Sequence, residues 1–528
     1  MSIVGGELKN AKKRLKVQHL MTLAESARPN LSHSDKAKAG EANFTLGQCF
    51  LEQGKVAQAL AYFQTAIDKC PESAKYLSQL SKAHLMLRND EEALTFALQA
   101  LEFLQGETDA NTHNTLGYVL TRFGHHKFAL GLFEKAVKLN PNSIEFRDNL
   151  ARSHTYFGDK RSTALQYEAL LKLDPLYGKA HLGLAEITKC TAENNHIDRL
   201  ENALEKASRK IEIMRIQYAL SKENEDLGQS EESFKHLHAA NTQFMSNVKF
   251  DVKHDEELIG AFLDVYKKTS TKNISKIDDK VLFIGGIPRT GTTLVDRILS
   301  AHSSVESAGE LQSMPLAVKQ ASGTNSKIVL DIETITKAGK ADINAVGRAY
   351  MTNARLHVGA KDSAVFTDKL PLNFMYAGFI LKALPNAKMV CLRRHPMDTI
   401  WSNYKHLFGG GARYHTYSYD LISTARFYLA YLKMTDFWAQ EFPEQFMILS
   451  YEDLIADQRS ETANLLLHCG LDWEEGCLDF HSSSKAVATP SANQVREPLY
   501  TGSIGKWKRY AKELEGVRLF LIENGVKV

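Results

Sequence analysis

The sequence predicts two fold classes in one chain: an all-α array of helical repeats, then an α/β domain on a central parallel sheet. Three observations carry this. Residues 40–187 repeat themselves at a period of about 34, with glycine, alanine and proline in register. Beyond residue 280 the period changes to short β-branched runs alternating with helical patterns. One of those runs opens into a glycine-spaced loop and a helix.

The repeats come first. LGQCFLEQGKVAQALAYFQTAIDKCP, from Leu46 to Pro71, aligns with LGYVLTRFGHHKFALGLFEKAVKLNP, from Leu116 to Pro141. Gly47/Gly117, Gly54/Gly124, Ala59/Ala129, Phe63/Phe133, Ala66/Ala136 and Pro71/Pro141 match. A degenerate copy holds Ala93, Ala97 and Ala100, and a fourth runs through Ala151, Gly158 and Tyr167 to Pro175. Small residues let the two helices of a hairpin approach, a large one fills the gap to the next hairpin, and Pro ends the second helix. The register weakens after Cys190 and returns over Gln217–Asn241, with Gly228, Leu237 and Ala240. This pattern resembles the tetratricopeptide (TPR) family, whose grooves bind peptides.

A connecting helix is expected over Lys253–Lys272, and the polar stretch Thr269–Lys280 reads as a linker. Strands are expected at Val281–Ile284, Val365–Thr367, Met389–Leu392 and Phe446–Leu449. Helices are expected at Thr293–Ser300, Leu372–Leu384, Met397–Phe408 and Asp453–Cys469. The expected organisation is a leader over 1–39, repeats over 40–250, a connecting helix and linker over 251–279, and the α/β domain over 280–528. Ligands of such sheets bind at the carboxyl ends of the strands.

Composition narrows the chemistry. With 44% hydrophobic and 24% charged residues, the chain is expected to fold throughout. Its 65 basic and 62 acidic residues nearly balance, so no global charge points to nucleic acid, and any anion site must come from local placement of Arg and Lys. No CxxC pair and no apolar run of about 20 residues occurs, which argues against zinc knuckles, redox motifs and a membrane span. The first residues lack a secretory apolar core, and the thiols are sparse, so the expected compartment is the cytoplasm.

The loop GIPRTGTT follows strand VLFIG and precedes helix LVDRILSAH. Its glycines, Gly286 and Gly291, are spaced as in a P-loop, which wraps backbone N–H groups around a phosphate at a helix N-terminus. Where nucleoside triphosphatases place Lys, this chain has Thr292, and the nearby cation is Arg289. Without that Lys, the anion is expected to be held by basic side chains and backbone dipoles, and no metal is expected.

Pro-Arg-Thr-Gly-Thr-Thr resembles the 5′-phosphosulfate loop of sulfotransferases. CLRRHPMDTIWSN, with Arg394, Pro396, Asp398 and Ser402, resembles their 3′-phosphate element. SANQVREPLYTGSIGKWKRY resembles the loop that closes over the nucleotide in protein-tyrosine sulfotransferases, with Ser491, Gln494, Val495, Pro498, Lys506 and Trp507 at that family's spacing. The resemblance implies an all-α TPR superhelix followed by an α/β P-loop-type sulfotransferase domain with a central parallel sheet. It implies 3′-phosphoadenosine-5′-phosphosulfate (PAPS) as donor, 3′,5′-adenosine bisphosphate as product, and an acceptor hydroxyl. A peptide or protein tyrosine is the first expectation for the acceptor, with a saccharide, lipid or small molecule open.

The residues carried over are Arg289, Thr290, Gly291, Thr292, Thr293, Arg394, Ser402, Tyr451 and Lys506 for the donor. Glu310 stands where that family has its catalytic base. Lys369 matches the lysine that stabilises charge on the leaving oxygen, and Ser491 assists by a nearby hydrogen bond. His302, His395 and His415 are alternative bases, with His302 expected to end the helix after the loop. Three departures put the acceptor in doubt: Arg394–Asp398, RHPMD, is closer to the cytosolic and carbohydrate sulfotransferase pattern, His406 replaces an arginine of the tyrosine-specific enzymes, and Ser307 replaces a cysteine of their disulfide. Two other readings remain: a P-loop kinase-like nucleotide enzyme, against which Thr292 argues, and a TPR scaffold with an inactive domain.

Overall fold

Glycines of the repeats stand where two helices cross. A Cβ on Gly117 would lie 2.8 Å from the Phe133 ring, and one on Gly47 would lie 2.5 Å from Phe63, so only hydrogen fits at either position. The computed structural model describes residues 33–268, 277–358, 365–408, 413–483, 485–489, 491–499 and 501–528. These divide into two compact units, one up to Ser153 and one from His154 onward.

The first unit holds α1 (His33–Glu52), α2 (Val56–Lys69), α3 (Ala74–Met86), α4 (Asp90–Glu102), α5 (Ala110–Arg122), α6 (His126–Leu139) and most of α7 (Ile144–Phe157). The helices α1/α2, α3/α4 and α5/α6 pack as hairpins. Ala59, Ala66, Ala129 and Ala136 are fully buried along these seams. Asp109 caps α5 by accepting from the Thr112 N–H, which satisfies one of the orphan donors of a helix start. Residues 1–32 of the expected leader lie outside the described residues.

The second unit continues the helical pattern through α8 (Lys160–Leu173), α9 (Gly178–Ile187), α10 (Ile197–Lys206), α11 (Lys210–Asp226) and α12 (Ser230–Met245). The restored repeat signal is the α11/α12 hairpin, with Leu237 and Ala240 buried in its seam. The connecting helix is α13 (Val252–Lys268). Its expected continuation to Lys272 and the linker residues 269–276 lie outside the described residues.

The α/β part then runs β1 (Val281–Gly285), α14 (Thr292–Ser300), β2 (Val305–Ser307), α15 (Ser313–Ser322), α16 (Ile332–Ala338), α17 (Ile343–Ala354) and β3 (Val365–Lys369). After a 3₁₀ turn at Pro371–Tyr376 come α18 (Ala377–Ala383), β4 (Lys388–Arg393), α19 (Pro396–Tyr404), α20 (Leu421–Glu441) and β5 (Phe446–Ser450). The chain ends through α21 (Tyr451–Ala456), α22 (Gln458–His468), several 3₁₀ turns and α23 (Glu515–Glu523).

All five strands pair in parallel, in the order β2-β3-β1-β4-β5. Residues of β1 alternate between two cores. Val281 and Phe283 face a cluster with α13, α17 and α20, while Leu282 and Ile284 face one with α14 and α22. The first cluster also takes in Met214, Tyr218, Leu237 and Ala240. The last repeat hairpin therefore shares a core with one face of the sheet.

Several boundaries differ from expectation, among them the helix expected over Leu372–Leu384, which is a 3₁₀ turn up to Tyr376 and α-helical only over Ala377–Ala383. The helix expected over Met397–Phe408 stops at Tyr404. The one expected over Asp453–Cys469 is broken, because the Asp457 side chain caps the Ser460 N–H and starts α22 afresh. α14 ends at Ser300, so His302 lies beyond the helix. Among the described residues, no helix is long and apolar enough to cross a membrane.

Candidate functional site

The β-order puts β1 between β3 and β4, so the loop leaving Gly285 is flanked by both neighbours' carboxyl ends. Ile284 is in register with Lys369 on one side, and Gly285 with Cys391 on the other. Lys369 and Arg394 therefore lie on opposite sides of the loop at Gly286–Gly291.

That loop is tightly determined. Gly291 has φ 111°, and a Cβ there would fall 2.7 Å from the Tyr451 ring. Arg289 adopts φ 70°, which is uncommon for a side chain with a Cβ. Thr290 is fully buried, and its hydroxyl donates to the Ile287 carbonyl at 2.8 Å. Thr292 and Thr293 begin α14, whose first N–H groups face outward from the helix start.

Arg289 reaches the C-terminal loop: its Nη1 donates to Ser491 Oγ at 2.6 Å and its Nη2 to Gln494 Oε1 at 3.1 Å. Arg394 cross-links three segments. It donates to the Arg289 carbonyl at 3.0 Å and the Ser503 carbonyl at 2.5 Å, and its guanidinium lies 4.8 Å from the Tyr451 ring centroid. Tyr451 shares a 2.7 Å hydroxyl contact with Ser503. The Nε of Arg394 is buried without a hydrogen-bond partner. An orphaned cationic donor beside outward-facing backbone amides suits an anion such as a phosphate.

Asp398, 1% exposed, accepts from the backbone N–H groups of Gly505 at 2.6 Å and Trp507 at 3.3 Å. This places Lys506 on a fixed turn. Burial depresses the Lys506 ammonium pKa, with Lys405 adding to the effect and Glu225 opposing it. Glu225, from α11, pairs with Lys405 at 2.8 Å. A repeat helix thus contributes a side chain to this basic cluster. Ser402 is half-buried on α19 and forms no hydrogen bond among the described residues.

On the other side, Lys369 is 1% exposed and pairs with Glu310. The base candidate and the cation candidate therefore meet. Lys369 N–H donates to the Gly309 carbonyl at 2.9 Å, which pins the Glu310 loop to β3. Next to them Asp368 is wholly buried, and burial raises its carboxyl pKa to about 7 against bonds from Asn373 and Tyr350.

Of the alternative bases, His302 has both ring nitrogens engaged, whereas Nδ1 of His395 and of His415 is buried without a hydrogen-bond partner among the described residues. His302 contacts the Asp472 carbonyl at 3.1 Å and the Ser304 hydroxyl at 2.9 Å. His395 stacks on Trp507. Burial holds His415 down at about 4. His406 is pushed down to about 3 by burial and then by Arg289, His415 and Lys405, so it supplies no positive charge near neutral pH. Sequence reading missed Glu225, Lys405 and Asp296. Only Asp296 left a signal, as a carboxylate inside the apolar run of α14. Among the described residues, no three His, Cys, Asp or Glu side chains gather as a metal-binding group.

Comparison with known proteins agrees with this architecture. Residues 282–475 match the sulfotransferase family, and residues 31–74 and 44–108 match the tetratricopeptide repeat. An uncharacterized protein of Aquifex aeolicus (strain VF5) is 25% identical over 477 residues, covering 87% of this chain. The match spans 61% of that protein's own length. Protein-tyrosine sulfotransferase 1 of Danio rerio is 23% identical over 269 residues, 47% of this chain and 71% of its own. The sulfotransferase domain of the Synechococcus PCC 7002 olefin synthase aligns with a TM-score of 0.29 at 18% identity, over 46% of this chain and 91% of that one. The chain thus carries a domain of the sulfotransferase family together with tetratricopeptide repeats.

Proposed function

We propose that the protein transfers a sulfuryl group from PAPS to an acceptor hydroxyl. The observation that carries this is the placement of Lys369 with Glu310 on one side of the Gly286–Gly291 loop and Arg394 on the other. The backbone N–H groups at Thr290–Thr293, with Arg289, suit the 5′-phosphosulfate at the start of α14. Arg394 and Lys506 suit the 3′-phosphate, with Tyr451 packed against both Gly291 and Arg394. Ser402 adds a hydroxyl on α19. The orphaned Arg394 Nε is what a phosphate oxygen would satisfy.

Glu310 then accepts the proton that the acceptor hydroxyl loses as its oxygen bonds to sulfur. Lys369 bears on the phosphate oxygen whose bond to sulfur breaks, and Ser491 assists. The bisphosphate leaves with that bonding pair. A tyrosine-bearing peptide is the acceptor we favour, on the strength of the relatives named protein-tyrosine sulfotransferase. The repeats would bind that peptide or a protein partner. The six free cysteines are consistent with action in the cytoplasm.

The test is transfer of ³⁵S-sulfate from labelled PAPS to N-acetyltyrosinamide and tyrosyl peptides, beside calorimetric titration with 3′,5′-adenosine bisphosphate. Binding of the bisphosphate with label transfer is expected. Magnesium-dependent ATP turnover without bisphosphate binding would instead point to a kinase-like enzyme.

A further inference from the structure

Helix α14 does more than point its N-terminus at an anion. Asp296, in its second turn, is 7% exposed, and burial pushes its carboxyl pKa upward. A carboxylate inside an apolar helix is costly unless its oxygens are hydrogen-bonded. Here both are. Ser307 Oγ donates to Oδ1 and Oδ2 at 3.0 and 2.9 Å, and Thr367 Oγ1 donates to Oδ1 at 2.5 Å.

The two donors occupy a meaningful place. Ser307 ends β2, Thr367 lies in β3, and the two are in register. Glu310 follows Ser307 by three residues. Lys369 follows Thr367 by two, so both point to the same face of the strand. Backbone bonds extend the tie: Ala308 N–H to the Thr367 carbonyl and Lys369 N–H to the Gly309 carbonyl, both 2.9 Å. One helix therefore presents the anion loop at its start and grips, through Asp296, the two segments that carry Glu310 and Lys369.

We propose that Asp296 is a positioning residue, which fixes the Glu310–Lys369 pair relative to the anion loop through Ser307 and Thr367. The proposal rests on the sulfotransferase reading above. Asp296 does not touch the reacting atoms; it sets the spacing between the two halves of the site. Misplacing a reacting group by about 1 Å costs roughly 10²-fold in rate. Asparagine keeps the size and offers one acceptor oxygen instead of two, so it loosens the grip without emptying the space.

The experiment uses the full chain with PAPS and N-acetyltyrosinamide. Asp296→Asn is expected to lower kcat by about 10–100-fold. Its affinity for 3′,5′-adenosine bisphosphate and its KM for the acceptor should change by less than about threefold. In Glu310→Gln the added Asp296→Asn change should cost markedly less than in wild type, because the part of the positioning that acts through the base is already lost. A merely structural role gives the opposite pattern: the same factor with or without Glu310, or bisphosphate binding that falls in step with turnover. Either result overturns the proposal, as does turnover within about threefold of wild type. Should Asp296→Asn not fold, Ser307→Ala removes one donor alone and is expected to lose about tenfold in kcat with the same non-additivity. Unchanged turnover in Ser307→Ala would then refute it. Wild-type protein that neither binds bisphosphate nor transfers label would instead sink the parent reading.

Discussion

Replacing Glu310 by Gln removes the proposed base and keeps its shape. A positioned base contributes typically about 10²–10⁴-fold, so kcat should fall by that range. Among the described residues no bond links Arg394 or Tyr451 to Glu310, so affinity for 3′,5′-adenosine bisphosphate should stay within about threefold. Stability should fall slightly. Breaking an interior ion pair costs about 3–5 kcal/mol when both partners are buried. Lys369 is 1% exposed, but Glu310 is 41% exposed and solvent screens it, and Gln can still accept from the ammonium. About 1 kcal/mol is therefore the reasonable loss, or a melting point lower by only about 1 °C in a unit of this size. The assay is ³⁵S transfer from PAPS to N-acetyltyrosinamide, run beside calorimetric titration. Turnover within threefold of wild type would remove Glu310 as the base. Equal loss of turnover and of bisphosphate affinity would place it in donor binding instead.

Arg394→Gln removes donors to two carbonyls and to the expected phosphate; at about 1.5–3 kcal/mol per bond to a charged group, bisphosphate affinity should drop at least tenfold by calorimetry. Asp368 is raised in the folded state from 3.8 to about 7. A carboxyl with a raised folded pKa contributes stability below its unfolded pKa and loses it as pH rises through the folded value. Asp368→Asn should therefore gain on wild type progressively between 3.8 and about 7 in urea melts, and a constant difference would refute the shift. A fragment beginning at Lys280 strips α11, α12 and α13 from the core they share with the sheet; it should scatter light and lack a cooperative melt, and a sharp transition near the wild-type temperature would contradict that.

Much of this is legible in the sequence. The glycines at 47 and 117 announced close helix crossings because their partners, Phe63 and Phe133, recur at the same offset. The loop at Gly286–Gly291 announced itself because few chemistries require that spacing after a buried strand. Less legible was what depends on distant parts of the chain. β2 is only Val305–Ser307 and pairs along one edge, so it has no run of apolar residues to betray it. Glu225 looks like any exposed repeat glutamate until α11 is brought against Lys405. Asp457 divides a helix through a local cap that competes with continuous helical periodicity. Ser402 matched a motif, yet its hydroxyl finds no partner among the described residues, which sequence spacing has no means of revealing.

Among the described residues, the Arg394 guanidinium bonds to neutral oxygens, those of Arg289 and Ser503, and lies on the face of Tyr451. Its charge is anchored but not cancelled. An arginine docked on a carboxylate would have to break that attachment before accepting an anion; this one has nothing to release. The attraction it offers is therefore open to any ion in the surrounding medium, and sulfate or chloride competes for the same position in proportion to its concentration. On the sulfotransferase reading proposed above, raising ionic strength should therefore weaken binding of the donor.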